Sequence, residues 1–178
     1  MILELIERLT EEAAKRNMEF LLIGGQAMNH LGYQRLTLDI DFMGPEKTRN
    51  SWESIMSHYG YSMSVRTPAF DQYVHPAPEW PQVDIMFVNE RTWEQMRVET
   101  HEKSQGRVVV HVPSPRHMVA LKLHAANSPQ RTEPEKDWLD IDALIRTHRL
   151  DVSEPEFEKL ILRYGGEQSL KMLQSKHK

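Results

Sequence analysis

The chain has 178 residues, enough for one domain or for one domain with a small appendage. It is 39% hydrophobic and 27% charged, as soluble globular proteins are, and it has no cysteine, which excludes disulfides, thiolate metal sites and thiol catalysis. A formal net charge of -4 argues against a general nucleic-acid binder.

In chain order, residues 2 to 16 predict an amphipathic helix, because Leu5, Leu9 and Ala13 recur at four-residue spacing. The same stretch mixes leucines with acids and bases, unlike the basic head and apolar core of a signal peptide. No apolar run approaches the roughly 20 residues of a membrane span, so a cytoplasmic protein without membrane contact is expected. "MEFLLIGG" predicts a short apolar strand that breaks at two glycines, and "QAMNHLG" two turns of helix closing at Gly32. "LTLDIDFMG", residues 36 to 44, predicts a strand with Leu36, Leu38, Ile40 and Phe42 on one face. Thr37, Asp39, Asp41 and Met43 then share the other.

A helix over about Glu46 to His58 follows, and then strands in "YSMSV", "FDQYVH" and "QVDIMFV" separated by proline-rich turns. Arg91 to Val98 predicts a helix and "RVVVHV" a β-branched strand. Ser114 caps a helix with Pro115 at its first position, running to about Ala126. After the loop "NSPQRTEP" comes the amphipathic helix "EKDWLDIDALIRTH", and the tail predicts two helices broken at Gly165 and Gly166. The organisation is α+β: an α/β core over residues 1–112 and a helical region over 113–178, expected to pack as a single compact unit.

Chemistry concentrates between Gly24 and Asp84. A strand that ends in Gly24-Gly25 and opens a helix lets another group approach the backbone, and the first helical N–H groups attract an anion such as phosphate. Asp39 and Asp41, two apart on a strand, would hold their carboxylates about 6 to 7 Å apart along the chain on one face. Like charges there repel and strands disfavour aspartate, so the pair suits Mg²⁺, which takes one or two carboxylates and completes its shell with water and phosphate oxygens. The alternative is a solvated strand face bearing two acids. Asp84 is a third acid within an apolar strand, between Val83 and Ile85. If its strand neighbours the first, three carboxylates could converge for two-metal phosphoryl or nucleotidyl transfer; otherwise Asp84 hydrogen-bonds a turn.

Gly24-Gly25, a short helix, "RLTLDID" and a later strand aspartate resemble the nucleotidyltransferase superfamily with the polymerase-β-like fold. More closely, "GGQAMNHLGYQRLTLDIDFM" resembles AbiEii-type nucleotidyltransferases, the toxins of toxin–antitoxin pairs, and also the enzymes that adenylate lincosamide and aminoglycoside antibiotics. The AbiEii-type pattern continues with a helical lysine, an arginine and a Lys-Asp pair, matched in order by Lys122, Arg131 and Lys136-Asp137. The resemblance spans about residues 20 to 170, and the chain is shorter than most AbiEii toxins.

It implies a mixed sheet with flanking helices, and transfer of a nucleoside monophosphate from a triphosphate such as ATP or GTP to an acceptor hydroxyl. It also implies Mg²⁺, or Mn²⁺, at Asp39, Asp41 and Asp84. Gly24, Gly25, Arg35, Thr37 and Lys122 would bind the nucleotide, with Asp137 behind Lys122 as partner or base. RNA or a small molecule would be the acceptor, and an antitoxin protein a possible partner; a catalytically silent nucleotide- or partner-binding domain remains the rival.

Lys122 shares a helix face with Met118 and Ala125, so its stem is packed whether its ammonium meets phosphate or snorkels to water. Asp137 and Asp140, three apart on the next helix, share a face, and either could pair with it. His117 and His124 are two turns apart, too far for one ion, and the four tryptophans predict core rather than base-stacking platforms. From His101 to Lys136 there are six Lys/Arg and three Asp/Glu, a net of +3. Lys103, Arg107, Arg116 and Arg131 in that stretch would meet RNA phosphates if the surface faces an anion.

Overall fold

A computed structural model describes residues 1–129 and 131–177. The chain divides into two units, Met1–His30 with Arg35–Pro113, and Leu31–Gln34 with Ser114–Lys178.

The first unit opens with α1 (Ile2–Lys15), which buries Leu5, Ile6, Leu9 and Ala13 as its four-residue spacing predicts. It continues through β1 (Leu21–Ile23), α2 (Gly24–His30), β2 (Ile40–Pro45), a 3₁₀ turn (Glu46–Thr48) and α3 (Arg49–His58). β3 (Ser62–Thr67), β4 (Phe70–Val74), β5 (Val83–Val88), α4 (Glu90–Val98), β6 (Thr100–Gln105) and β7 (Val108–Pro113) complete it. Five strands make one mixed sheet in the order β1-β2-β5-β4-β3, and β6 and β7 form a separate hairpin. β2 lies between β1, antiparallel, and β5, parallel. Its flanked position accounts for the continuous apolar run in Phe42 and Met43. On one side Phe42 stacks on Trp52 of α3 at 5.2 Å, and Phe20 meets both rings edge-on. Trp52 and Trp93 are buried core, whereas Trp80 and Trp138 are half-exposed.

The aspartate strand starts at Ile40, not Leu36, and Leu36 and Leu38 are 85% and 66% exposed. β1 covers only three residues, and β5 begins at Val83 opposite Ile40, so no strand is available to pair residues 35–39. β6 carries no strand signal in the sequence: "THEKSQ" is polar throughout and gains its strand geometry only from pairing with the β-branched β7.

The second unit holds α5 (Pro115–Ala126), α6 (Pro134–His148) and α7 (Pro155–Lys176). The Ser114 side chain accepts a hydrogen bond from His117 N at 3.3 Å and Pro115 takes the first helical position, as the sequence indicates. The predicted break in the tail is a kink at Gly166 (φ 76, ψ 177) within α7. Among the described residues, no helix is long and apolar enough to cross a membrane.

Candidate active site

In the first unit β1 runs directly into α2 at Gly24, whose φ of +60 is left-handed. A β-carbon built on Gly24 would lie 1.9 Å from Asp41 Oδ2, and one on Gly25 would lie 2.6 Å from Thr37 Oγ1. Both glycines are therefore required by side chains that press on the backbone from the "RLTLDID" segment. Arg35 N donates to Asn29 Oδ1 at 2.8 Å, which ties the start of that segment to α2. Thr37 and Arg35 are half-buried and alternate with the exposed leucines.

Asp41 on β2 stands directly opposite Asp84 on β5 in the parallel register. Neighbouring strands lie about 4.8 Å apart, so two carboxyl groups leave the sheet side by side. Asp39 is exposed and precedes the strand, yet its charge still acts on Asp84. Burial pushes the Asp84 carboxyl up to about 7 from its ordinary 3.8, and the neighbouring Asp41 charge adds to the rise. Gln82 Nε2 donates to Asp84 Oδ1 at 2.9 Å, and Gln72, its partner across β4 and β5, donates as well; both act in the opposite direction. Ser64 Oγ donates to Gln72 Oε1 at 3.0 Å and so turns the amide nitrogen of Gln72 away from itself.

Between pH 3.8 and about 7 the folded chain holds a proton on Asp84 that the unfolded chain has lost. Stability from this group is therefore greatest at low pH and declines as pH rises through 7. In metal-free buffer Asp84→Asn should flatten the decline in melting temperature over that window. An unaltered pH profile in the variant would remove Asp84 as its source.

In the second unit, α5 and α6 bring together Lys122, Asp137 and Asp140, all buried. Lys122 Nζ is 3.2 Å from Asp137 Oδ1 and 2.7 Å from Asp140 Oδ2. Arg131 Nε donates to Asp137 Oδ2 at 2.6 Å from the loop that precedes α6. Two cations and two carboxylates thus balance in a site where an unpaired charge would be costly. Both acids weighed as partners of Lys122 engage it at once.

Three other basic residues of the His101–Lys136 stretch are paired within the chain. Arg107 meets Glu7 at 3.0 Å and Glu11 at 3.6 Å, Arg116 meets Glu154 at 3.0 Å, and Lys136 meets Glu133 at 2.5 Å. Lys103 has no ion pair among the described residues. No three His, Asp or Glu side chains among the described residues form a metal site unaided. Gln72, Gln82 and Ser64 escaped the sequence reading. Gln82 sits two residues before Asp84 on the same strand face, so strand alternation could have found it. Gln72 and Ser64 become visible only through strand register.

No curated protein shows significant similarity to the chain. Among solved structures, the antibiotic-resistance factor ANT(2'')-Ia superposes with a TM-score of 0.68 and 16% identity, covering 99% of this chain and 97% of its own. Lincosamide antibiotic adenylyltransferase LnuA, lincomycin-bound, gives a TM-score of 0.57 at 17% identity over 78% of this chain and 93% of its own. The Megavirus polyadenylate synthase gives 0.57 at 17% identity over 82% of this chain and 31% of its own. At such identities the likeness establishes the fold, a mixed sheet of the nucleotidyltransferase type, as the resemblance implied. The family model of the nucleotidyl transferase AbiEii toxin, from type IV toxin–antitoxin systems, matches residues 73–176. That stretch contains Asp84, Lys122, Arg131 and Asp137, and it begins after the glycine pair and Asp41. With more than half its length matched, the chain belongs to the AbiEii nucleotidyltransferase family.

Proposed function

We propose that the chain moves a nucleoside monophosphate from a nucleoside triphosphate to an acceptor hydroxyl, with pyrophosphate leaving. The observation that carries this reading is the pairing of Asp41 with Asp84 beside the left-handed Gly24. Two carboxyl groups abreast, one of them pushed up to about 7 by burial and its neighbour, form a site short of positive charge. That donor set fits a hard divalent cation whose other ligands are water and phosphate oxygens.

Mg²⁺ or Mn²⁺ would be held by Asp39, Asp41 and Asp84, and would supply neutralisation of the triphosphate charge and a lowered pKa for the attacking hydroxyl. Gly24 and Gly25 leave backbone space for the phosphates, and Thr37 and Arg35 border that space. Asp84, held by Gln82 and Gln72, accepts the proton of the acceptor hydroxyl. Lys122 with Asp137 and Asp140 balances charge within the helical unit.

RNA is the preferred acceptor, on the likeness of the Lys122 to Asp137 pattern to AbiEii-type toxins, and a protein antitoxin is the matching partner. A small-molecule acceptor is the second reading, favoured by the internal pairing of Arg107, Arg116 and Lys136, which leaves less free cation for an RNA backbone.

The test is labelled triphosphates, one base at a time, with total RNA, with aminoglycosides or lincosamides, or with protein alone. Label in RNA should fall with salt by about 0.7 log units of affinity per tenfold salt for each phosphate neutralised. Label confined to the antibiotic, with a shallow salt slope, supports the second reading. No label under any condition leaves a silent binding domain.

A further inference from the structure

We infer that Arg131 is a phosphate-binding residue, held in place from behind by the buried cluster of Lys122, Asp137 and Asp140. The inference rests on the nucleotidyl-transfer reading only for the molecule that carries the phosphate.

The cluster itself presents no ammonium to a ligand. Lys122 is 7% exposed, and its Nζ lies within ion-pair distance of two carboxylates that are each 1% exposed. A buried ammonium between two buried carboxylates is committed to them, because parting would leave charge uncompensated in a low-dielectric surrounding. Arg131 differs. Its side chain is 40% exposed, and it reaches Asp137 through Nε alone. Both terminal nitrogens are without a partner among the described residues, and they form the fork that grips two oxygens of a phosphate.

The other arginines of the basic stretch do not share this arrangement. Arg107 spends Nε and a terminal nitrogen on Glu7 and Glu11. Arg116 spends a terminal nitrogen on Glu154. The carboxylate behind Arg131 fixes the plane of its guanidinium, which lowers the entropy lost when the fork closes on an anion. Lys122 and Asp140 in turn fix that carboxylate. Lys122, Asp137 and Asp140 are thus positioning residues and Arg131 is the contact.

Phosphate could come from a triphosphate or from a nucleic-acid backbone, and two probes separate these sources. Inorganic tripolyphosphate and a short single-stranded oligoribonucleotide without terminal phosphate are titrated calorimetrically into the full chain, in low salt and without divalent metal. Wild type, Arg131→Gln and Arg131→Lys are compared, with the melting temperature of each. Arg131→Gln should bind at least one probe roughly tenfold to a hundredfold more weakly, the range of one or two charge-assisted hydrogen bonds. Arg131→Lys should restore the melting temperature but not the affinity, since an ammonium neutralises Asp137 without supplying the fork.

Loss with tripolyphosphate alone assigns the residue to the triphosphate, and loss with the oligoribonucleotide alone assigns it to the acceptor. Equal binding by wild type and Arg131→Gln overturns the inference, as does full recovery of affinity by Arg131→Lys or an absence of binding by wild type. None of these outcomes requires nucleotidyl transfer, so the inference can fail while the transfer reading stands, and the reverse.

Discussion

Lys122→Met should lower folding stability by about 3–5 kcal/mol, the loss expected when one partner is removed from a buried ion cluster. Methionine keeps the packing of the aliphatic stem among its α5 neighbours, so the loss reports charge rather than volume. Asp137 would retain Arg131, but Asp140 would lose an ammonium now 2.7 Å away. Adding Asp140→Asn to Lys122→Met should therefore recover a large part of the loss. Urea unfolding of the three proteins at pH 7 measures it. If Lys122→Met unfolds at the wild-type midpoint, the ammonium is not shared between the carboxylates and the cluster is not a coupled unit. A drop in activity of Lys122→Met would mix loss of fold with loss of function, so stability must be measured first.

The second large effect lies in the other unit. Asp41→Asn together with Asp84→Asn should reduce nucleotidyl transfer to below roughly one-thousandth of wild type, because the two carboxylates proposed to hold the cation and to accept the acceptor proton are gone. The fold should not suffer. Two carboxyl groups abreast on β2 and β5 oppose each other, and neutral amides relieve this, so the double variant should melt as high as wild type or higher at pH 8 in metal-free buffer. Saturating Mg²⁺ with a triphosphate should raise the wild-type melting temperature by mass action and the variant's much less. An equal rise in both proteins would place the ligand elsewhere.

Local patterns were readable where local forces decide. The four-residue spacing in α1 and the Ser114-Pro115 start of α5 appear in the structure where the sequence puts them. Alternation on β5 is equally direct: Val83, Ile85 and Phe87 are buried and Asp84 is half-exposed. Reading failed where a strand depends on its partner. Residues 36–39 alternate as a strand should, yet they end beyond the reach of β1 and β5, and Leu36 and Leu38 stay in solvent. β6 has the opposite history: it lacks any strand signal and is made a strand by β7.

For the candidate site, the sequence by itself determined which residues carry charge and where the backbone must be bare. Gly24, Asp41 and Asp84 are legible because a glycine pair at a strand end and an acid inside an apolar strand oppose local preference. Tertiary structure alone decided who stands beside whom. Parallel pairing of β2 with β5 sets Asp41 against Asp84, though 43 positions separate them in the numbering. Helix packing encloses Lys122 between the carboxylates of Asp137 and Asp140, where the sequence offered only a shared helix face and two candidate partners. The physical reason is the same in each case. A side chain's type and its face on a helix or strand follow from local covalent geometry, whereas burial, and hence the energy of a charge, depends on elements remote in the chain.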